Sequence, residues 1–98
     1  MLKFNLTLPP ASAYDVVNRL LSVKIGNNDP VTLTLAANDV TITNDLFVGN
    51  DNDGVDVSLA DVDDAGNRSV SRDQSFVLTD TIAPPQPGEI SLTITDEV

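Results

Sequence analysis

Apolar and polar residues alternate through this chain in short runs, and each run stops at a cluster of Asp, Asn, Gly or Pro. A period of two puts every apolar side chain of a run on one face of an extended strand. Leu2, Phe4, Leu6 and Leu8 alternate with Lys3, Asn5 and Thr7, and Pro9-Pro10 ends the run because proline cannot donate to a ladder. Val31, Leu33 and Leu35 repeat the pattern against Thr32 and Thr34. Val40 and Ile42 begin a further strand, which Leu46 and Val48 extend past Asn44-Asp45. Val55, Val57 and Leu59 face one way with Asp56 and Ser58 the other, and Val70 to Thr79 reads as a long strand carrying Phe76 and Leu78.

Residues 11–26 admit two readings. Ser12 and Asp15 resemble a capping box, with Val16/Leu20 and Val17/Leu21 at helical spacing. Leu21, Val23 and Ile25 instead alternate, which favours a turn or extended segment followed by a strand over about 20–26. Turn signals lie at Gly26–Pro30, Gly49–Gly54 and Asp63–Asn67. Strands spaced by turns every 8–12 residues or so predict an all-β domain of two sheets that bury their apolar faces against each other.

Composition agrees and narrows the partners. The 98 residues are 41% hydrophobic, enough for one core. Thirteen of the 15 acidic residues are Asp, which favours turns where Glu favours helices. The net charge is −10, and nine Asp lie between Lys24 and Arg68 with no basic residue among them. Phosphate backbones are bound by Lys and Arg, so neither nucleic acid nor an anionic membrane is an expected partner. Solubility is the plainest consequence of the charge. No Cys is present to form disulfides. No apolar run near Met1 has the length of a signal peptide, and none elsewhere has that of a membrane-spanning helix.

Val55–Pro87 carries a turn of the form Asp63-Asp64-Ala65-Gly66-Asn67-Arg68-Ser69 and an exit of the form Thr79-Asp80-Thr81-Ile82-Ala83-Pro84-Pro85. This third of the chain resembles the last part of a fibronectin type III or bacterial immunoglobulin-like domain. The resemblance implies an antiparallel β-sandwich over residues 1–80. It also implies the roles such domains fill, as spacers, adhesive modules and virion surface proteins. The usual Trp is absent, and Val55 stands where a Tyr is usual near the start of the penultimate strand. Beyond the sandwich, residues 81–88 form a Pro-rich linker of polyproline II character. Residues 89–98 form a tail in which Ile90, Leu92 and Ile94 alternate as one extra C-terminal strand.

Little here could carry catalysis. Nucleophilic triads need a base, and the chain has neither His nor Cys. No phosphate-binding or dinucleotide fingerprint is present, so an enzyme is not expected. No cofactor is expected either, calcium being the one alternative. An EF-hand frame through Gly54 fails, because it puts Gly49 and Ala60 where carboxylates are needed. A frame through Gly66 ends on Arg72 and fails too. A different calcium site would need Asp51, Asp53, Asp61, Asp63 and Asp64, with Asp45, to gather at one end of the sandwich. The plain alternative is that these Asp close turns.

Two functions follow as expectations. One is a structural component of a virion, a capsid decoration or head/tail accessory protein. It is read as a complete small frame from Met1 without a leader, acting as a homo-oligomer or on a capsid protein. Its contacts would come from Ile90, Leu92 and Ile94, because an unpaired strand invites pairing with a neighbouring sheet. The other is a spacer or adhesion module of a bacterial surface or extracellular protein, with calcium at its Asp-rich end.

Overall fold

The computed structural model describes Met1–Glu97, so Val98, the last residue of the expected tail, lies outside the described residues. The described chain is all-β: β1 (Leu2–Lys3), β2 (Leu6–Thr7), β3 (Val16–Ile25), β4 (Val31–Ala36), β5 (Thr41–Ile42), β6 (Val48–Gly49), β7 (Gly54–Asp63) and β8 (Arg72–Val77). Every pairing is antiparallel. One layer is a four-stranded sheet in the order β4-β3-β7-β8. The other is a ribbon in which β1 pairs with β6 and β2 with β5.

The alternation explains which faces meet. In the four-stranded sheet Leu21 lies opposite Leu59, Val23 opposite Val57 and Ile25 opposite Val55, and all six are buried. Such directly opposed apolar pairs are the unit of sheet stabilisation. Leu8, Ile42 and Phe47 close the core from the ribbon, with Phe4 and Leu6 half-buried beside them. Phe4 and Phe47 stack with ring centroids 5.2 Å apart and planes 3° from parallel.

Local chemistry accounts for the differences from the expected strands. β3 begins at Val16 and not near residue 20, because the Val16 amide closes a turn on the Ala13 carbonyl and the chain is extended from there. A register shift between Val16 and Asn18 keeps both Val16 and Arg19 on the core face. In the ribbon, Asn44 closes a turn: its Oδ1 accepts from the Leu46 amide at 2.9 Å and its carbonyl from the Phe47 amide at 3.0 Å. That turn slips the phase by one residue, so Phe47 points into the core and Leu46, expected inside, is 62% exposed. Gly49 follows in the most crowded glycine position. A β-carbon there would sit 2.6 Å from Leu78 Cδ1 and 3.0 Å from Ile25 Cγ2. The last strand is shorter than expected, ending at Val77 and leaving Val70 exposed.

The tail departs most from expectation. Among the described residues no strand forms after β8, and every residue from Thr79 to Glu97 is exposed. The expected extra C-terminal strand is therefore extended chain without a ladder. With it the molecule measures 89 × 26 × 17 Å.

Candidate functional site

The five Asp proposed as calcium ligands do not come together. Asp51 and Asp53 precede β7, whereas Asp61, Asp63 and Asp64 lie at its far end. At about 3.3 Å per residue the strand between them spans roughly 25 Å. Among the described residues no three acidic side chains are grouped so as to hold a metal. Their oxygens serve the turns. Asp53 Oδ2 accepts from the Asn50 amide at 2.8 Å, and Asp51 Oδ1 accepts from the Asp80 amide at 2.8 Å. Asp63 Oδ1 accepts from the Ala65 and Asn67 amides at 3.0 and 2.8 Å, and its Oδ2 accepts from Asn67 Nδ2 at 3.0 Å. Asp64 donates its amide to the Asp15 carbonyl, and Asp45 lies 3.6 Å from Lys3 on the exposed surface.

Asp61 does something different. Its side chain lies in phase with Val55, Val57 and Leu59 on the core face of β7, directly opposite Arg19 of β3. Arg19 Nε donates to Asp61 Oδ1 at 2.8 Å, with the two side chains 1% and 8% exposed. Arg19 Nη1 also donates to the Pro9 carbonyl at 2.7 Å and the Asp39 carbonyl at 3.2 Å. Asp61 Oδ2 accepts from the Ser12 amide and hydroxyl at 2.9 and 2.8 Å. One ion pair thus ties two connecting segments to the sheet, residues 9–12 and the turn at Asp39, and beside it the Asp61 backbone amide donates to the Ser69 hydroxyl. No buried side-chain nitrogen or oxygen among the described residues lacks a partner. The pair holds the sandwich together at this end.

The acidity of Asp61 follows from the same contacts. Burial pushes its carboxyl up and is the largest single influence. The Ser12 amide, the Arg19 guanidinium and the Ser12 hydroxyl together outweigh it and hold the group below the ordinary aspartate value of 3.8. Asp63 is lowered as well, chiefly by the Asn67 side chain and amide. In both cases the unfolded chain binds protons more readily than the folded one. Stability therefore rises with pH through this window and is lost as pH falls through the folded values. The midpoint of urea unfolding is expected to hold at pH well above the ordinary aspartate value of 3.8 and to fall as pH drops below it. Asp61→Asn should reduce that slope, leaving the share that Asp63 carries, and an unchanged slope would show that Asp61 does not contribute to it.

An apolar groove is the other candidate. It is an open cleft of about 280 Å³ lined by Phe4, Leu6, Val55, Phe76 and Leu78, with Asn5 and Thr7 on its rim. Of the expected partner-binding residues, Ile90, Leu92 and Ile94 are 98%, 88% and 82% exposed, outside this groove and outside any sheet. The groove was not legible in the sequence, since its two walls are 70 residues apart along the chain, at Leu6 and Phe76. The pairing of Arg19 with Asp61 was missed, although each continues an apolar alternation by one more step, which is the signal that could have found it. No family model, curated protein or solved structure matches this chain.

Proposed function

We propose that this chain is a non-enzymatic structural protein that works through protein–protein contacts. In this reading it is an immunoglobulin/fibronectin III-like sandwich serving as a capsid decoration or head/tail accessory component of a virion. The observation that carries the assembly role is the tail. An extended segment with three exposed apolar residues on one face is unfavourable to leave in water and ready to pair through its backbone. The two-layer antiparallel arrangement and the Asp63–Ser69 turn joining β7 to β8 support the finer fold reading. The bonded-out Arg19–Asp61 pair supports a structural role over a catalytic one.

A second reading, a spacer or adhesion module of a bacterial surface or secreted protein, is favoured by the Pro84-Pro85-Gln86-Pro87 connector between β8 and the tail. Light scattering behind size-exclusion chromatography separates the two. The assembly reading expects self-association that grows with concentration. A monomer at every concentration, with the tail cut freely by protease, would overturn it in favour of the spacer.

A further inference from the structure

The two layers of this fold are unequal. Four strands make one, and the ribbon facing them is two strands wide. Register places Phe76 beside Val55, Gln74 beside Val57 and Arg72 beside Leu59, so these residues of β8 share the core-facing side. The β2 edge only partly covers them, and Phe76 is 46% exposed although it lies on the core-facing side. The groove described above is this partly covered strip, and it continues past Leu8 and Val57 to Arg72.

Its rim is an unpaired strand edge. The Phe4 and Leu8 amides donate to the Phe47 and Val40 carbonyls, toward the rest of the ribbon. Successive residues of a strand address opposite edges, so the backbone groups of Lys3, Asn5 and Thr7 face the groove. No strand among the described residues pairs with that edge. An apolar floor beside an unpaired backbone rim is the surface that accepts an added strand with alternate apolar side chains.

The chain carries such a strand and does not use it on itself. Glu89–Thr95 has the seven-residue length of Leu2–Leu8, and Ile90, Leu92 and Ile94 repeat at the same spacing as the apolar residues there. Three prolines in four residues hold the connector extended, and the tail carries these residues away from its own groove. We infer that residues 89–95 of one copy insert into the groove of a second copy, pairing with the free edge of β1–β2. This deepens the assembly reading and rests on it.

The direction follows from where the tail leaves. β8 ends at the same end of the sandwich as Leu2, since Gly49 pairs with Leu2 and packs on Leu78. Copies stacked end to end receive the tail at the Leu8 end, so it runs antiparallel to β1–β2. Charge agrees at both ends: Glu89 arrives near Arg72, and Asp96 and Glu97 arrive near Lys3. Each copy gives one tail and accepts one, a heterologous contact that propagates in a line unless the rotation closes a ring.

Two full-length variants test this. Leu92→Asp spoils the tail and leaves the groove intact, whereas Phe76→Glu spoils the groove and leaves the tail intact. Circular dichroism and thermal melting first establish that both fold. Light scattering should then show the unchanged protein as multimers, each variant alone as a monomer, and an equimolar mixture of the two as a dimer that grows no further. Multimers that persist in either variant would overturn the groove assignment while leaving the assembly reading standing. A mixture that stays monomeric would do the same. An unchanged protein that is monomeric throughout, including one whose tail folds into its own groove, would overturn both.

Discussion

Arg19→Met should lower the thermal midpoint by about 20 °C, the largest effect expected of any single substitution outside the hydrophobic core. Removing one member of a buried ion pair costs about 3–5 kcal/mol, and each kcal/mol moves the midpoint of a domain this size by about 4–8 °C. The loss has several parts. Asp61 keeps its Ser12 donors but loses the charge facing it, and the carbonyls of Pro9 and Asp39 lose their shared donor. Methionine fills much of the space and supplies none of those bonds. Asp61→Leu should fall in the same range, since it leaves a guanidinium buried beside an apolar group. The double replacement Arg19→Met/Asp61→Leu should recover part of the loss, because an apolar pair avoids an unpaired buried charge. It should not recover all of it, because the Ser12 amide would then have no acceptor. Thermal melts of the four proteins at neutral pH complete the cycle. Additive losses would mean that the two side chains do not act as a pair.

Phe47→Ala should be nearly as damaging, at about 3–5 kcal/mol. Phe47 is fully buried and is the largest apolar side chain that the ribbon inserts against the four-stranded sheet. Its removal opens a cavity and also deprives Phe4 of its stacked partner. Domains of this size are stable by about 5–15 kcal/mol, so the loss takes a large fraction of the total. Its neighbour supplies the contrast: Leu46→Ala, at an exposed position, should change stability by no more than about 0.5 kcal/mol. Urea titrations of the two variants check both numbers together. Equal losses at the two positions would mean that the Asn44 turn does not set the phase, and that the ribbon packs in another register.

This pair of neighbours shows where reading by alternation succeeds and where it stops. Over Arg19–Ile25 of β3 and Val55–Leu59 of β7 the period of two holds, and Leu21, Val23, Ile25, Val55, Val57 and Leu59 are inside as the pattern requires. Between Ile42 and Val48 a hydrogen bond from the Leu46 amide to Asn44 Oδ1 adds a turn, and the phase beyond it reverses. Whether an Asn caps a turn or stands in a strand depends on the strand it must meet, here the one formed by Leu2–Thr7.

Arg19 and Asp61 teach a related point. Each extends its alternation by one step, Arg19 before Leu21 and Asp61 after Leu59, yet the strand expected over about 20–26 leaves Arg19 outside it and Asp61 reads as a calcium ligand. That the two are opposite each other is a matter of register between strands 42 residues apart. Read singly, a buried Asp is an anomaly and looks like a ligand; read with its partner, it is neutralised and fully bonded. The acidic residues of the two end loops likewise share a composition, and the length of β7 keeps them apart.

Short-range physics thus settled the class of fold, the turns and most of the core from the order of residues alone, because alternation and turn chemistry act over a few neighbours. The pairing of Arg19 with Asp61, the groove between Leu6 and Phe76, and the unpaired state of Ile90, Leu92 and Ile94 came only with the folded arrangement. Strand edges are made of backbone groups common to every residue. Which edge is satisfied, and by which segment, is therefore decided by distant geometry that no local pattern encodes.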